Sequence, residues 1–130
     1  MLVVGLDVGT QSTKGLLIDP ERGLVLARSA SAYGLIEGLA PGAAEQDPAT
    51  WEQAAVDVLR PLIAAASEAG QTISAIGVSG QQHGCVLLDR DGQPVRAAKL
   101  WCDTETAQEA AELSEILGHS ILTGYTASKV

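Results

Sequence analysis

The chain contains no phenylalanine, and Trp and Tyr together bring its aromatic content to only 3% of 130 residues. Positive charge is scarce too: 8 Lys and Arg stand against 16 Asp and Glu, a formal net charge of −8. A chain of this balance is repelled by nucleic acid and by anionic membrane, so neither is expected as a partner. A phosphate ligand is still allowed, because a divalent cation and backbone dipoles act locally. Cysteine is sparse: Cys85 and Cys102 lie far apart without CxxC spacing, which argues against a zinc site or a disulfide scaffold and suits free thiols in a cytoplasmic protein. No apolar run approaches the roughly 20 residues that span a bilayer. The apolar start is interrupted by Asp7 and has no basic flank, so it does not read as a signal peptide. Internal repeats, low-complexity segments and a dividing linker are also missing. With 46% hydrophobic residues, the length suffices for one domain with a core.

What is present begins with three short extended segments. Apolar residues and tight turns predict strands over about 2–8, 12–19 and 23–31, an antiparallel meander in which Leu24, Leu26 and Arg28 alternate with Val25, Ala27 and Ser29. Residues 33–46 read as a connection, with Gly34, Gly38, Pro41 and Gly42 and no core pattern. Asp47 can cap a helix and Pro48 fits its first position, where a missing N–H costs nothing. Trp51, Ala54, Ala55, Val58, Leu59, Leu62, Ile63 and Ala66 then recur at helical spacing and predict one apolar face. Pro61 predicts a kink near residues 57–60, and Gly70 a stop. Ile73–Ser79 and Cys85–Leu88 read as further strands, joined by the polar corner Gly80-Gln81-Gln82-His83-Gly84. After a turn at Asp89–Gly92, Val95–Leu100 reads as a short extended return. Thr106 with Glu109 suggests a capping box for a helix to Leu117, with Ala110, Leu113 and Leu117 inward and Gly118 as its stop. The tail from His119 shows no element, and His119 itself reads as a surface residue. The class is α/β.

Chemistry is concentrated at the first turn, Asp7-Val8-Gly9-Thr10-Gln11-Ser12-Thr13-Lys14. Gly9 allows close backbone approach, successive N–H groups can form an anion-binding concavity, and small hydroxyls add donors. Asp7 would repel a phosphate unless a divalent cation sits between them. The turn is not a Walker loop, which lies between a strand and a helix. The alternative is an ordinary hairpin whose Asp and Thr bond their own backbone.

Gly5-Leu6-Asp7-Val8-Gly9-Thr10, with Ser12 and Lys14, resembles the first phosphate motif of the FGGY carbohydrate kinases. Glu45-Gln46-Asp47-Pro48 with Trp51, Gly80-Gln81-Gln82-His83-Gly84, and Leu100-Trp101-Cys102-Asp103 resemble three further segments of the same family. The resemblance covers nearly the whole chain but only about the first quarter of such a kinase. It implies the ribonuclease-H-like fold of the actin/hexokinase-type ATPases, with residues 1–130 as part of an N-terminal domain built on a mixed sheet. It implies ATP and Mg²⁺ as cofactors, and within the family the motif order is most similar to members acting on D-xylulose. Ribulose, gluconate and glycerol types stay open, as does a non-catalytic binding module. A homodimer of the complete kinase also stays open.

By resemblance, Asp7 faces the metal and the γ-phosphate. Gly9, Thr10, Gln11, Ser12 and Thr13 form the phosphate turn, and Lys14 neutralises a transferring phosphoryl or is simply a solvated strand residue. Gln81, Gln82 and His83 form the corner that contacts sugar hydroxyls, where paired donors and acceptors suit a polyol. Gln82 departs from the commoner Gln-Met-His. Trp101 flanks the sugar cleft or packs in the core, and Asp103 bonds a hydroxyl or caps a helix. Glu105 stands where the family commonly has Arg. The family's general-base Asp lies beyond the equivalent of Val130, so this stretch alone is expected to be inactive.

Overall fold

The computed structural model describes residues 1–117. The expected stop at Gly118 and the reading of His119 lie outside the described residues. Strands β1 (Leu2–Val8), β2 (Ser12–Asp19) and β3 (Leu24–Ala32) form the expected meander. After the two-residue strand β4 (Glu45–Gln46) come helix α1 (Pro48–Glu68), strand β5 (Ile73–Gly80), strand β6 (Ala98–Lys99) and helix α2 (Ala107–Leu117). The larger sheet has the order β3-β2-β1-β5, antiparallel except for β1 beside β5. A parallel neighbour needs a crossover, and α1 supplies it. The fold is therefore the α/β, ribonuclease-H-like arrangement with a mixed sheet.

The described chain forms two compact units. One holds Met1–Gly34 with Ala49–Gln81; the other holds Leu35–Pro48 with the chain from Gln82. In the first unit, period-two alternation places Leu2, Val4 and Leu6 of β1 and Leu17 of β2 against Val58, Leu62 and Ala66 of α1. Each fully buried aliphatic side chain there contributes roughly 1.5–3 kcal/mol. The helix comes very close to β2 at Gly15, where a Cβ would meet Val58 Cγ1 at 2.5 Å and Leu62 Cδ1 at 2.9 Å. Helix α1 runs through Pro61 without a break, although Pro61 offers no N–H to the Asp57 carbonyl. It ends in a Schellman motif: Gly70, at φ +64°, donates to Ser67, and Gln71 donates to Ala66. Ile63, expected inward, is 50% exposed. It lines an apolar groove of about 600 Å³ with Ala66 and Ile76.

In the second unit, β4 pairs antiparallel with β6, Glu45 opposite Lys99 and Gln46 opposite Ala98. This corrects the reading of residues 33–46 as lacking core residues, since Ala44, Glu45 and Gln46 are all buried. Cys85–Leu88 is not a strand. It makes only isolated bridges, Cys85 to Lys99 and Leu88 to Pro94, because no continuous partner runs beside it. Cys85 is half-buried. Thr106 precedes α2, and its carbonyl accepts the Ala110 N–H. No residue of α2 is fully buried, and Leu117, expected inward, is exposed.

Candidate functional site

The first group of site residues gathers at the carboxyl ends of the parallel pair β1 and β5, where ligands of open α/β sheets bind. Asp7 lies between Lys14 on β2 and Ser79 on β5 in the ladder registers. Asp7 and Lys14 are exposed. The hairpin from Gly9 to Ser12 is closed by the Gly9 N–H donating to the Ser12 carbonyl at 3.0 Å. A Cβ at position 9 would stand 3.3 Å from that same oxygen, so the turn is tight enough to favour glycine. Thr10 and Ser12 are half-buried and Gln11 is exposed, while Thr13 is fully buried.

Two contacts brace this hairpin. Gln81 caps the end of β5: its N–H donates to the Val8 carbonyl at 2.9 Å, and its side-chain oxygen accepts the Thr10 hydroxyl at 3.1 Å. Gln81 thus belongs with the β1–β2 hairpin. Tyr33, just past β3, donates its N–H to the Gln11 carbonyl and its hydroxyl to the Gly9 carbonyl, and it shares a 3.1 Å hydrogen bond with the Thr13 hydroxyl. Sequence reasoning did not single out Tyr33. Its place follows from the β2–β3 register, in which Ser12 pairs with Ala32 and the next residue reaches the turn.

The second group lies in the other unit. Gln82 and His83 are exposed, and His83 has φ +57°, in the left-handed region that a non-glycine residue enters only at a cost. Two residues on, the Cys85 N–H donates to the Lys99 carbonyl at 2.8 Å and anchors the corner to β6. Trp101 is 56% exposed, which rules out its reading as a core residue of this unit. Asp103 is buried. It accepts from the Ala44 N–H at 2.7 Å and from the Glu105 N–H at 3.1 Å.

Lys99 organises this region. Its ammonium reaches Glu105 at 2.5 Å, Asp103 at 3.3 Å and Glu45 at 3.3 Å, and Glu45 also pairs with Arg96. The Glu105 charge is answered by a buried lysine. The hydrogen bond to Glu105, opposed by burial and helped by Glu45 and Asp103, raises Lys99 above its usual 10.5. Burial alone would raise the Asp103 carboxyl. The N–H groups of Ala44 and Glu105, with Lys99, outweigh burial and hold it below 3.8. The Glu45, Asp103 and Glu105 carboxylates lie within 4.8 Å of one another, but Lys99 already holds all three.

For a magnesium ion the donor set at the β1–β2 turn is suitable. Mg²⁺ commonly takes one or two carboxylates, substrate phosphates and several waters, and Asp7 offers one exposed carboxylate at the end of β1. Among the described residues, no helix is long and apolar enough to cross a membrane.

Comparison with known proteins agrees with this fold. Residues 2–130 match the FGGY family of carbohydrate kinases, N-terminal domain. The chain is 42% identical over 117 residues to a xylulose kinase of Streptomyces rubiginosus, covering 90% of this chain and 23% of the relative. It is 37% identical over 143 residues to a xylulose kinase of Haemophilus influenzae, covering 99% and 29%. Among solved structures, xylulose kinase from Rhodospirillum rubrum superposes with a TM-score of 0.86 at 33% identity, covering 100% of this chain and 27% of that one. The chain thus spans between a fifth and a third of the length of these relatives.

Proposed function

The chain belongs to the FGGY family of carbohydrate kinases, and from that premise we propose that residues 1–130 form the N-terminal portion of the N-terminal domain of an ATP-dependent sugar kinase. The complete enzyme transfers the γ-phosphoryl group of ATP to D-xylulose, giving ADP and D-xylulose 5-phosphate. The observation that carries this reading is the braced hairpin from Gly9 to Thr13 beside an exposed Asp7, in a chain similar to xylulose kinases over nearly its whole length.

Phosphoryl transfer requires positioning and charge neutralisation more than covalent help from the protein. In this proposal the backbone and hydroxyl groups of Gly9, Thr10, Gln11 and Ser12 orient the phosphates, Thr13 supports the turn from inside, and Lys14 balances charge. Asp7 would hold Mg²⁺, which when bound would draw charge from the phosphate oxygens. Gln82 and His83 bond sugar hydroxyls from the exposed corner, and Gln81 steadies the turn through Thr10. Trp101 and Asp103 complete the sugar side, Asp103 mainly by fixing the backbone around Ala44 and Glu105. The general base belongs to the part of the kinase that follows, so residues 1–130 alone are inactive.

A coupled ADP-release assay tests this. The complete kinase is offered D-xylulose, D-ribulose, gluconate and glycerol, with the 130-residue chain assayed in parallel. The expected result is turnover of D-xylulose in preference to the others, and none by the short chain. Preference for another polyol would reassign the substrate, and Gln82 is the residue through which that change would be sought first. Turnover by the purified short chain would overturn its proposed inactivity.

A further inference from the structure

We propose that Tyr33 is a positioning residue for MgATP: its hydroxyl and N–H together set the shape of the phosphate turn. This rests on the reading of Gly9 to Lys14 as a phosphate site.

Direction can be assigned to each hydrogen bond. The Tyr33 hydroxyl has one proton, and the Gly9 carbonyl, 2.7 Å away, can only accept it. The Thr13 hydroxyl, 3.1 Å from the same oxygen, must then donate to Tyr33. Thr13 is fully buried, so this bond also satisfies a hydroxyl that water does not reach. The Tyr33 N–H, at 3.0 Å, holds the Gln11 carbonyl. One residue therefore fixes Gly9, Gln11 and Thr13, three of the five residues from Gly9 to Thr13.

The consequence is electrostatic. In a turn that receives a phosphate, N–H groups attract the anion and carbonyl oxygens repel it. Tyr33 engages the carbonyls of Gly9 and Gln11 on its own side, which fixes the peptide planes of the hairpin before a ligand arrives. Preorganised donors stabilise developing charge at no reorganisation cost during the reaction. Without the Tyr33 hydroxyl the Gly9 peptide can rotate, and the turn must be ordered by ATP itself.

The experiment compares three variants of the complete kinase, Tyr33→Phe, Thr13→Val and the double variant, with Asp7→Asn as the control for the site itself. Tyr33→Phe keeps the ring and removes only the hydroxyl. It is expected to raise KM for MgATP or lower kcat, with kcat/KM for MgATP falling roughly tenfold, the size of one lost positioning hydrogen bond, while KM for the sugar stays within about twofold. It also leaves the Thr13 hydroxyl buried and unpaired, so Tm falls. In the double variant that orphan is gone, and part of the lost Tm returns while the MgATP defect persists, because the Gly9 carbonyl is still unheld. Recovery of MgATP use in step with Tm would reduce Tyr33 to a stability residue and overturn the proposal. Normal MgATP kinetics in Tyr33→Phe beside a severe defect in Asp7→Asn would also overturn it, with the phosphate-site reading intact. Normal MgATP kinetics in Asp7→Asn would sink that underlying reading instead.

Discussion

Asp7 and Lys14 stand directly opposite each other in the β1–β2 ladder, one at the end of β1 and the other three residues into β2. Both are exposed, and no ion pair joins them among the described residues. An exposed pair of this kind gains little by closing, about 0–1 kcal/mol. Left open, the pair keeps a carboxylate and an ammonium available at the same end of the sheet, as the proposed metal and phosphoryl roles require.

Removal of the carboxylate should therefore act on chemistry. In the complete kinase, Asp7→Ala is expected to lower kcat by roughly a hundredfold or more, because an electrostatic partner of the transferring phosphoryl is worth several kcal/mol. The sugar KM should change little. Steady-state kinetics with both substrates varied separates the two. Unchanged kcat with a lower Tm would make Asp7 an ordinary hairpin residue.

Gly15 gives a prediction about packing. Val58 Cγ1 and Leu62 Cδ1 occupy the space a Cβ would need. Gly15→Ala should push α1 away from β2 and destabilise the protein by about 1–3 kcal/mol, the usual cost of overpacking a filled core. Denaturant unfolding followed by circular dichroism measures it. A neutral result would mean that the helix shifts at little cost.

The contrast between Gly15 and its neighbours shows how far the sequence could be read. Leu2–Leu6 and Leu16–Ile18 announce strands because their burial is local and periodic, and the helix face from Ala54 to Ala66 is equally plain. The Asp7 turn was legible because its residue types are chemically distinctive. Glu45–Gln46 gave no strand signal, since two polar residues have no hydrophobic period. Glu45 is answered by Arg96 and Lys99, about fifty residues away, and Gln46 pairs with Ala98 in the ladder. Cys85–Leu88 has the composition of a strand but lacks a continuous partner, and composition cannot supply one. Tyr33 and Gly15 were hidden for a related reason: their roles follow from strand register and helix approach, which are long-range facts.

Lys99 should be hard to replace. Lys99→Met keeps the aliphatic stem but leaves Glu45, Asp103 and Glu105 close together, with Arg96 answering Glu45 alone. Breaking a buried pair in this way costs on the order of 3 kcal/mol. Because Lys99 also anchors the Cys85 N–H through its backbone, any sugar defect in a folded Lys99→Met should be smaller than that of His83 variants. Unfolding midpoints and sugar kinetics of the two variants check both statements. The double variant Lys99→Met/Glu105→Gln should recover part of the lost stability, since one unanswered charge is removed.

The same cluster sets a pH dependence. The Asp103 carboxyl is held below 3.8 in the folded protein, so its contribution to stability is present above that ordinary value and is lost as pH falls through the depressed one. Lys99 has the opposite sign. Its value is raised above 10.5, so its contribution is complete below 10.5 and is lost as pH climbs through the raised value. The stability gap between the wild type and Asp103→Asn should be flat from about pH 5 to 9 and narrow below about pH 4. Urea midpoints across that range measure it. A gap that stays constant into acid would show that Asp103 acts by shape rather than by charge.

The corner at His83 gives the sharpest separation of stability from function. At φ +57° an L-residue is strained, whereas glycine is not. In the complete kinase, His83→Ala removes the imidazole and keeps the strain, while His83→Gly removes both. The two should share one functional defect: sugar kcat/KM lower by roughly tenfold to a hundredfold, the loss of one or two hydroxyl contacts worth about 1–3 kcal/mol, with MgATP binding largely intact. They should differ in stability, His83→Gly being the more stable by up to about 1 kcal/mol. The functional loss should shrink for a deoxy analogue that lacks the contacted hydroxyl, because that bond is already missing. Normal sugar kinetics in either variant, or a defect confined to MgATP, would mean that the strained backbone at His83 serves the fold of the corner and that sugar recognition lies elsewhere.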